Sequence, residues 1–169
     1  PYMQDDLRLN THNRMYCPNL YKGIMWHSNP RLFYLGMQDQ FYTFSMFDAQ
    51  AWYARDIIMG KIKVPSNQEI DKDINLWLEK EGKLANPIDQ IDFQTEYTRN
   101  LCSSIDYPKM DLDKVAKDFK DWEHYKEENI LTYRDHSFTS LVTGSVAPVH
   151  HTTWLEAMDD SMETFLATK

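Results

Sequence analysis

Three stretches of the chain carry side chains of the kind that do chemistry. Asp135-His136-Ser137 holds the residue types of a nucleophilic relay. Such a relay is assembled in space, and three consecutive side chains cannot stack into one. No G-x-S-x-G surrounds the serine, so the trio reads as structural. His150-His151 offers two metal-ligand types, but neighbouring side chains diverge and no HExxH or CxxC accompanies them, so no metal is expected. The third stretch is LFYLGMQDQFYTF, residues 32–44. An apolar, strand-like run ends at Gly36, and Gln38, Gln40 and Thr43 follow before helical spacing begins. Ligands of open α/β sheets bind beyond the carboxyl ends of the strands. A helix starting there aims free N–H groups and about half a positive charge at the ligand. Gln38, Gln40 and Thr43 would add directed hydrogen bonds. A flavin suits such a corner, because its N1–C2=O end becomes negative on reduction. An ordinary strand-to-helix connection accounts for the same residues equally well.

The elements that must position these residues are legible from periodicity. Residues 1–35 read as short strands and turns. Leu7 and Leu9 alternate with polar neighbours, Thr11-His12-Asn13 reads as a turn, Tyr21–Trp26 as a strand, and Leu32–Leu35 as a second, buried strand. From Thr43 the spacing predicts a helix with Phe44, Phe47, Ala51, Ala54 and Ile58 on its apolar face, closed by Gly60 with Pro65 beyond. A second helix opens at the capping box Ser66-x-x-Glu69, carries Ile70, Ile74, Trp77 and Leu78, and ends at Gly82. A third opens at Asn86-Pro87 with Ile88, Ile91, Tyr97, Leu101 and Ile105. A fourth spans about 111–127, with Leu112, Val115, Phe119 and Trp122 on one side. A fifth opens at Thr153-x-x-Glu156 and continues through Met158, Met162 and Phe165.

Composition sets the outer limits. The chain has 169 residues, 42% of them hydrophobic, which suffices for a packed core. A net charge of −8 argues against a nucleic-acid partner, which needs clustered Lys and Arg. No apolar run reaches the ~20 residues that span a bilayer. Cys17 and Cys102 stand apart, no signal peptide is visible, and a cytoplasmic location fits. The five glycines, at 23, 36, 60, 82 and 144, are too dispersed for GxGxxG or GxxxxGK[ST]. The first residues are Pro1-Tyr2-Met3 rather than a start methionine. The chain is therefore expected to be part of a longer protein.

Two long stretches carry a resemblance. NLYKGIMWHSNPRLFYLGMQDQFYTFSMFDAQAWYARDIIMG and DWEHYKEENILTYRDHSFTSLVTGSVAPVHHTTWLEAMDDS closely resemble the C-terminal part of bacterial flavin-containing monooxygenases. The resemblance covers nearly the whole chain and is strongest to members that N-oxygenate small tertiary amines such as trimethylamine. It implies a partial α/β fold: the C-terminal portion of a Rossmann-type, two-dinucleotide enzyme, with a few short strands followed by mainly α-helices. Residues 1–64 would be the last strands and strand–glycine–helix unit of the FAD-binding domain, and 65–169 a helical region packed on it. The implied cofactors are FAD and NADPH, with the amine attacking a C4a-hydroperoxyflavin formed from O2. A homodimer is also implied. In the family both glycine-rich loops lie upstream of this region, which accounts for their absence here. By motif match, Gln40 and Thr43, with Gln38 beside them, resemble flavin contacts. Arg134 in TYRDHS resembles an NADP phosphate or ribose contact, and Trp122 a residue near the nicotinamide and substrate cavity. Phe41 stands where the family often has Trp, keeping an aromatic wall without the indole N–H. No residue is identified as a nucleophile or general base. A self-standing helical binding module without cofactor, and a related sulfur or amine oxygenase, remain as competing readings.

Overall fold

The computed structural model describes residues 4–9, 14–140 and 144–146. The predicted turn at 11–13, the fifth helix and His150-His151 lie outside them. The chain divides into two compact units, Pro1–Phe119 and Lys120–Lys169. The described residues are mainly α-helical, with one two-stranded sheet.

The N-terminal part departs from the strands expected of it. Asp5–Leu7 forms a single 3-10 turn. The run 21–26 is not one strand but a tight antiparallel hairpin, β1 (Leu20–Tyr21) and β2 (Met25–Trp26), with Leu20 opposite Trp26 and Tyr21 opposite Met25. Lys22 (φ 53°) and Gly23 (φ 65°) reverse the chain in left-handed conformations. A Cβ on Gly23 would lie 2.6 Å from Gln38 Nε2 and 2.9 Å from the Tyr97 hydroxyl, so the glycine also permits close packing. Residues 32–34 run alongside β2: Trp26 N–H donates to Leu32 O (2.9 Å), Tyr34 N–H to Ile24 O (2.8 Å), and Met25 pairs with Phe33. Of this expected buried strand Tyr34 is buried, while Leu35 is 41% exposed.

The helices start and stop where their caps dictate. Helix α1 (Thr43–Ile58) ends at Met59, with Gly60 at φ 71° beyond it. Helix α2 (Asn67–Glu81) begins at Ser66, whose hydroxyl accepts from Glu69 N–H while the Glu69 carboxylate accepts from Ser66 N–H (2.8 Å). Helix α3 (Pro87–Cys102) begins at Asn86, whose side chain accepts from Asp89 N–H (2.9 Å). Helix α4 (Leu112–Glu128) spans the boundary between the two units.

The α1 face is out of phase with expectation. Met46, Ala49, Gln50, Tyr53, Ala54 and Ile57 are buried, while Phe44 and Ile58 are 83% and 71% exposed. The buried stripe includes a glutamine, and a polar residue in the stripe shifts the apparent apolar period by one position. Helix α1 packs on α3, and α2 packs on β1. Their shared core gathers Tyr16, Met46, Tyr53, Ile70, Trp77, Phe93, Tyr97 and Leu101. Trp77 stacks on Tyr16 (5.9 Å between centroids) and meets Phe93 and Tyr97 edge-on. A smaller cluster joins Cys17 and Tyr34 to Leu20 and Trp26 of the hairpin. Two ion pairs fasten the N-terminal segment to α2. Arg14 meets Glu81 at 2.5 Å, and Lys22 meets Asp73 at 2.5 Å and donates to Asn100 of α3 at 2.9 Å.

Candidate functional site

The segment Gly36–Thr43 forms a corner that leads from the strand-like run into α1. Gly36 holds φ 70°, and a Cβ there would lie 2.9 Å from the Phe47 ring. The glycine thus lets the backbone approach α1. Two buried glutamines bind the corner's backbone. Gln50 of α1 accepts from Gly36 N–H (2.9 Å), and its amide donates to Gln38 Oε1 (2.6 Å) and to the Tyr97 hydroxyl (3.0 Å). Tyr97 in turn donates to Lys22 O (2.6 Å). Gln94 of α3 accepts from Phe41 N–H (2.7 Å) and Tyr42 N–H (3.3 Å) and donates to Asp39 O. These bonds satisfy backbone groups that sheet and helix ladders leave over.

The side chains of the corner divide into two sets. Gln38 is 4% exposed and turned into the protein. Gln40 is half-buried, and its Oε1 is buried without a hydrogen-bond partner among the described residues. Phe41 meets Phe119 edge-on (6.0 Å). Thr43 is exposed; its hydroxyl makes a long 3.4 Å contact to Phe41 O, and its N–H donates to the same oxygen at 3.0 Å. The start of α1 has no side-chain cap and no acidic residue in its first turn. An uncapped, acid-free helix N-terminus favours an electron-rich group beside it.

The second unit brings together the other expected site residues. The Tyr133 ring meets Trp122 edge-on (5.3 Å), and the Arg134 guanidinium lies 4.6 Å from the same ring's centroid. Arg134 is exposed on a 3-10 turn, Tyr133–Asp135, and no carboxylate among the described residues pairs with it. The Asp135-His136-Ser137 trio forms no relay: the His136 ring stacks flat on Tyr125, 3.6 Å between centroids at an interplanar angle of 4°. No group of His, Cys, Asp and Glu suited to a metal occurs among the described residues. Cys17 and Cys102 form no disulfide, and the Cys17 thiol donates to Met37 O (3.5 Å).

Burial shapes the ionisation of the phenols around the corner. The Tyr97 hydroxyl is driven well above the usual phenol range, chiefly by desolvation. Tyr16 and Tyr53 are raised for the same reason. These groups are hydrogen-bonding members of the core rather than acids or bases at neutral pH.

Gln50, Gln94 and Tyr97 do not stand out in the sequence as site-forming. Their signal emerges once the buried phase of α1 is set by Met46, Ala49, Tyr53 and Ile57, because Gln50 then falls inside an apolar face.

No protein-family model matches the chain. It is 64% identical over 98% of its length to trimethylamine monooxygenase of Pelagibacter sp. (strain HTCC7211). It is 57% identical, over the same share, to the enzyme of that name from Methylocella silvestris. Each match covers 37% of the relative, so the chain spans a little over a third of their length. The crystal structure of Tmm from Pelagibacter sp. strain HTCC7211 superposes with a TM-score of 0.87 over 95% of this chain and 37% of that one. A flavin-containing monooxygenase of Aspergillus flavus is 28% identical over 69% of the chain. In sequence and in backbone course, nearly the whole chain thus resembles a little over a third of a trimethylamine monooxygenase.

Proposed function

We propose that the chain works as part of a flavin-dependent N-oxygenase that converts trimethylamine, or a closely similar small tertiary amine, to its N-oxide with NADPH and O2. The observation that carries this reading is the dense match to enzymes of that name along 98% of the chain. One oxygen atom of O2 would go to the amine nitrogen and the other would leave as water. The flavin, when bound, supplies the oxygen transfer, and NADPH supplies two electrons.

The residues present fit part of the cofactor. The unpartnered Gln40 Oε1 is an acceptor suited to an imide N–H such as the flavin ring carries. Thr43 and the uncapped start of α1 suit its electron-rich edge. Phe41 offers an aromatic wall, and Gln38 acts from behind by anchoring the corner through Gln50. No glycine-rich loop for the pyrophosphate occurs among the five dispersed glycines, so that part of the cofactor would be held by the remainder of a full-length protein. Arg134 is assigned to an NADP phosphate or ribose oxygen, since its donor fork suits phosphate oxygens and no carboxylate among the described residues pairs with it. Trp122, against Tyr133, is assigned to the wall beside the nicotinamide. Residues 1–64 would close the FAD-binding domain, and 65–169 would pack on it.

The decisive experiment uses a full-length protein containing this chain. It should purify yellow, oxidise NADPH when trimethylamine is added, and release the N-oxide in equal amount. A colourless protein, or NADPH oxidation stimulated by sulfides and not by amines, would overturn the reading.

A further inference from the structure

We infer that Gln94 is a positioning residue for the cofactor-facing corner. This rests on the flavin assignment of Gln40 and Thr43 above. Gln94 sits in the middle of α3, fifty-four positions from Gln40 by number, and is fully buried. Its one side-chain amide is spent entirely on the corner. The carbonyl accepts from Phe41 N–H (2.7 Å) and Tyr42 N–H (3.3 Å), and the amide nitrogen donates to Asp39 O. Gln40 therefore lies between two residues whose backbones are fixed by the same side chain. Tyr42 is also the residue that precedes the first turn of α1. Its hydroxyl is held on α3 as well, by Thr95 Oγ1 at 2.8 Å.

The consequence is geometric. A loop has few ladder bonds to hold it, and its direction is set by whatever side chains bind its backbone. Here α3 sets the direction of the Gln40 side chain and the entry of α1. Gln94 takes up the Phe41 and Tyr42 N–H groups, Thr43 N–H donates to Phe41 O (3.0 Å) and Met46 N–H to Tyr42 O (3.2 Å), which leaves the Phe44 and Ser45 N–H groups without a backbone partner among the described residues. Hydrogen bonds to a developing charge depend on fractions of an ångström, so a shifted corner changes the bound flavin even when the protein stays folded.

The test compares Gln94→Met, which keeps length and burial but removes all three bonds, with Leu101→Ala, which damages the core on the same helix. Both are made in the full-length protein, beside Gln40→Ala and the double variant Gln94→Met/Gln40→Ala. Melting curves, FAD dissociation, the visible band of the bound flavin and its reduction potential are recorded. Gln94→Met should weaken FAD retention about tenfold, through lost bonds and a displaced Gln40. It should also move the flavin band and potential, whereas Leu101→Ala should lower the melting temperature alone. In the Gln40→Ala background the effect of Gln94→Met on the band and potential should largely vanish. An unchanged flavin in Gln94→Met, or the same change in Leu101→Ala, overturns the proposal. A Gln40→Ala protein with an unchanged flavin overturns the flavin assignment instead. If Gln94→Met does not fold, Gln94→Glu, which keeps the acceptor for Phe41 and Tyr42, replaces it. If neither folds, Gln94 is a structural residue and the proposal falls.

Discussion

Arg134 shows how much a single side chain can be asked to explain. Its guanidinium touches one ring, that of Tyr133, and is otherwise exposed. Losing it should therefore cost little stability. In the full-length enzyme, Arg134→Ala is expected to raise the KM for NADPH about tenfold, the value of one lost charge-assisted hydrogen bond. Arg134→Lys should also be impaired, because the charge stays but the fork is lost. Steady-state kinetics beside a melting curve decide it: an unchanged KM with a large fall in Tm would make Arg134 structural. At Gln40 and Thr43, Gln40→Ala and Thr43→Val should each weaken flavin retention by about 0.5–1.5 kcal/mol, read by FAD titration of the apoprotein. Full flavin content and normal reduction in both variants would sink that assignment. At this scale the sequence was informative about which residue types cluster at 38–43. It was silent on their partners, because Gln94 lies far away in the chain and only α1 against α3 brings it there.

Local chemistry governs the elements, and their ends were legible for that reason. The Ser66–Glu69 box, Asn86-Pro87 and Gly60 each act within four residues, so a linear reading finds them. Ser66→Ala should destabilise the protein by about 1 kcal/mol, measured by denaturant titration, with no change in flavin binding. Interior faces are a different matter. The buried face of α1 shares Ala54 with the expected one but is turned from Phe44 and Ile58 because Gln50 belongs to it, and that buried glutamine is explained by the Gly36, Gln38 and Tyr97 groups it serves. The run 21–26 reads as a strand by composition, but the left-handed pair Lys22-Gly23 folds it in half. Gly36→Ala tests the corner as an element. It meets both an unfavourable φ of 70° and the Phe47 ring at 2.9 Å, so it should cost more than the ~1 kcal/mol of an ordinary left-handed glycine replacement. Melting temperature would register it, and an unaltered value would mean that the corner can open.

The whole molecule responds to pH through its phenols. Tyr107 is pushed up to about 12 from 10.0, first by burial and then by donating to the Asp48 carboxylate (2.9 Å). Tyr16, Tyr53 and Tyr97 are raised as well. A raised folded value means that the fold favours the neutral phenol. That stability is complete below pH 10 and is lost as pH climbs toward 12. The denaturant midpoint should accordingly fall between those values, and Tyr107→Phe should make the fall shallower. A midpoint flat across that window would contradict the burial of these hydroxyls. The chain by itself should also bind FAD no more tightly than micromolar, for want of a pyrophosphate loop. Sub-micromolar binding in a calorimetric titration would refute this. Among the described residues no helix is long and apolar enough to cross a membrane.

The aromatic ring of the core has an optical consequence. Trp77 is 2% exposed and walled by Tyr16, Phe93 and Tyr97, whereas Trp122 belongs to the unit that starts at Lys120. A protein keeping Trp77 as its sole indole would emit at short wavelength while folded and shift red on melting. One keeping Trp122 alone would report on the other unit. Two such proteins must melt either together or apart, so the colour of their fluorescence would tell whether the boundary at Phe119 is also a boundary of cooperativity.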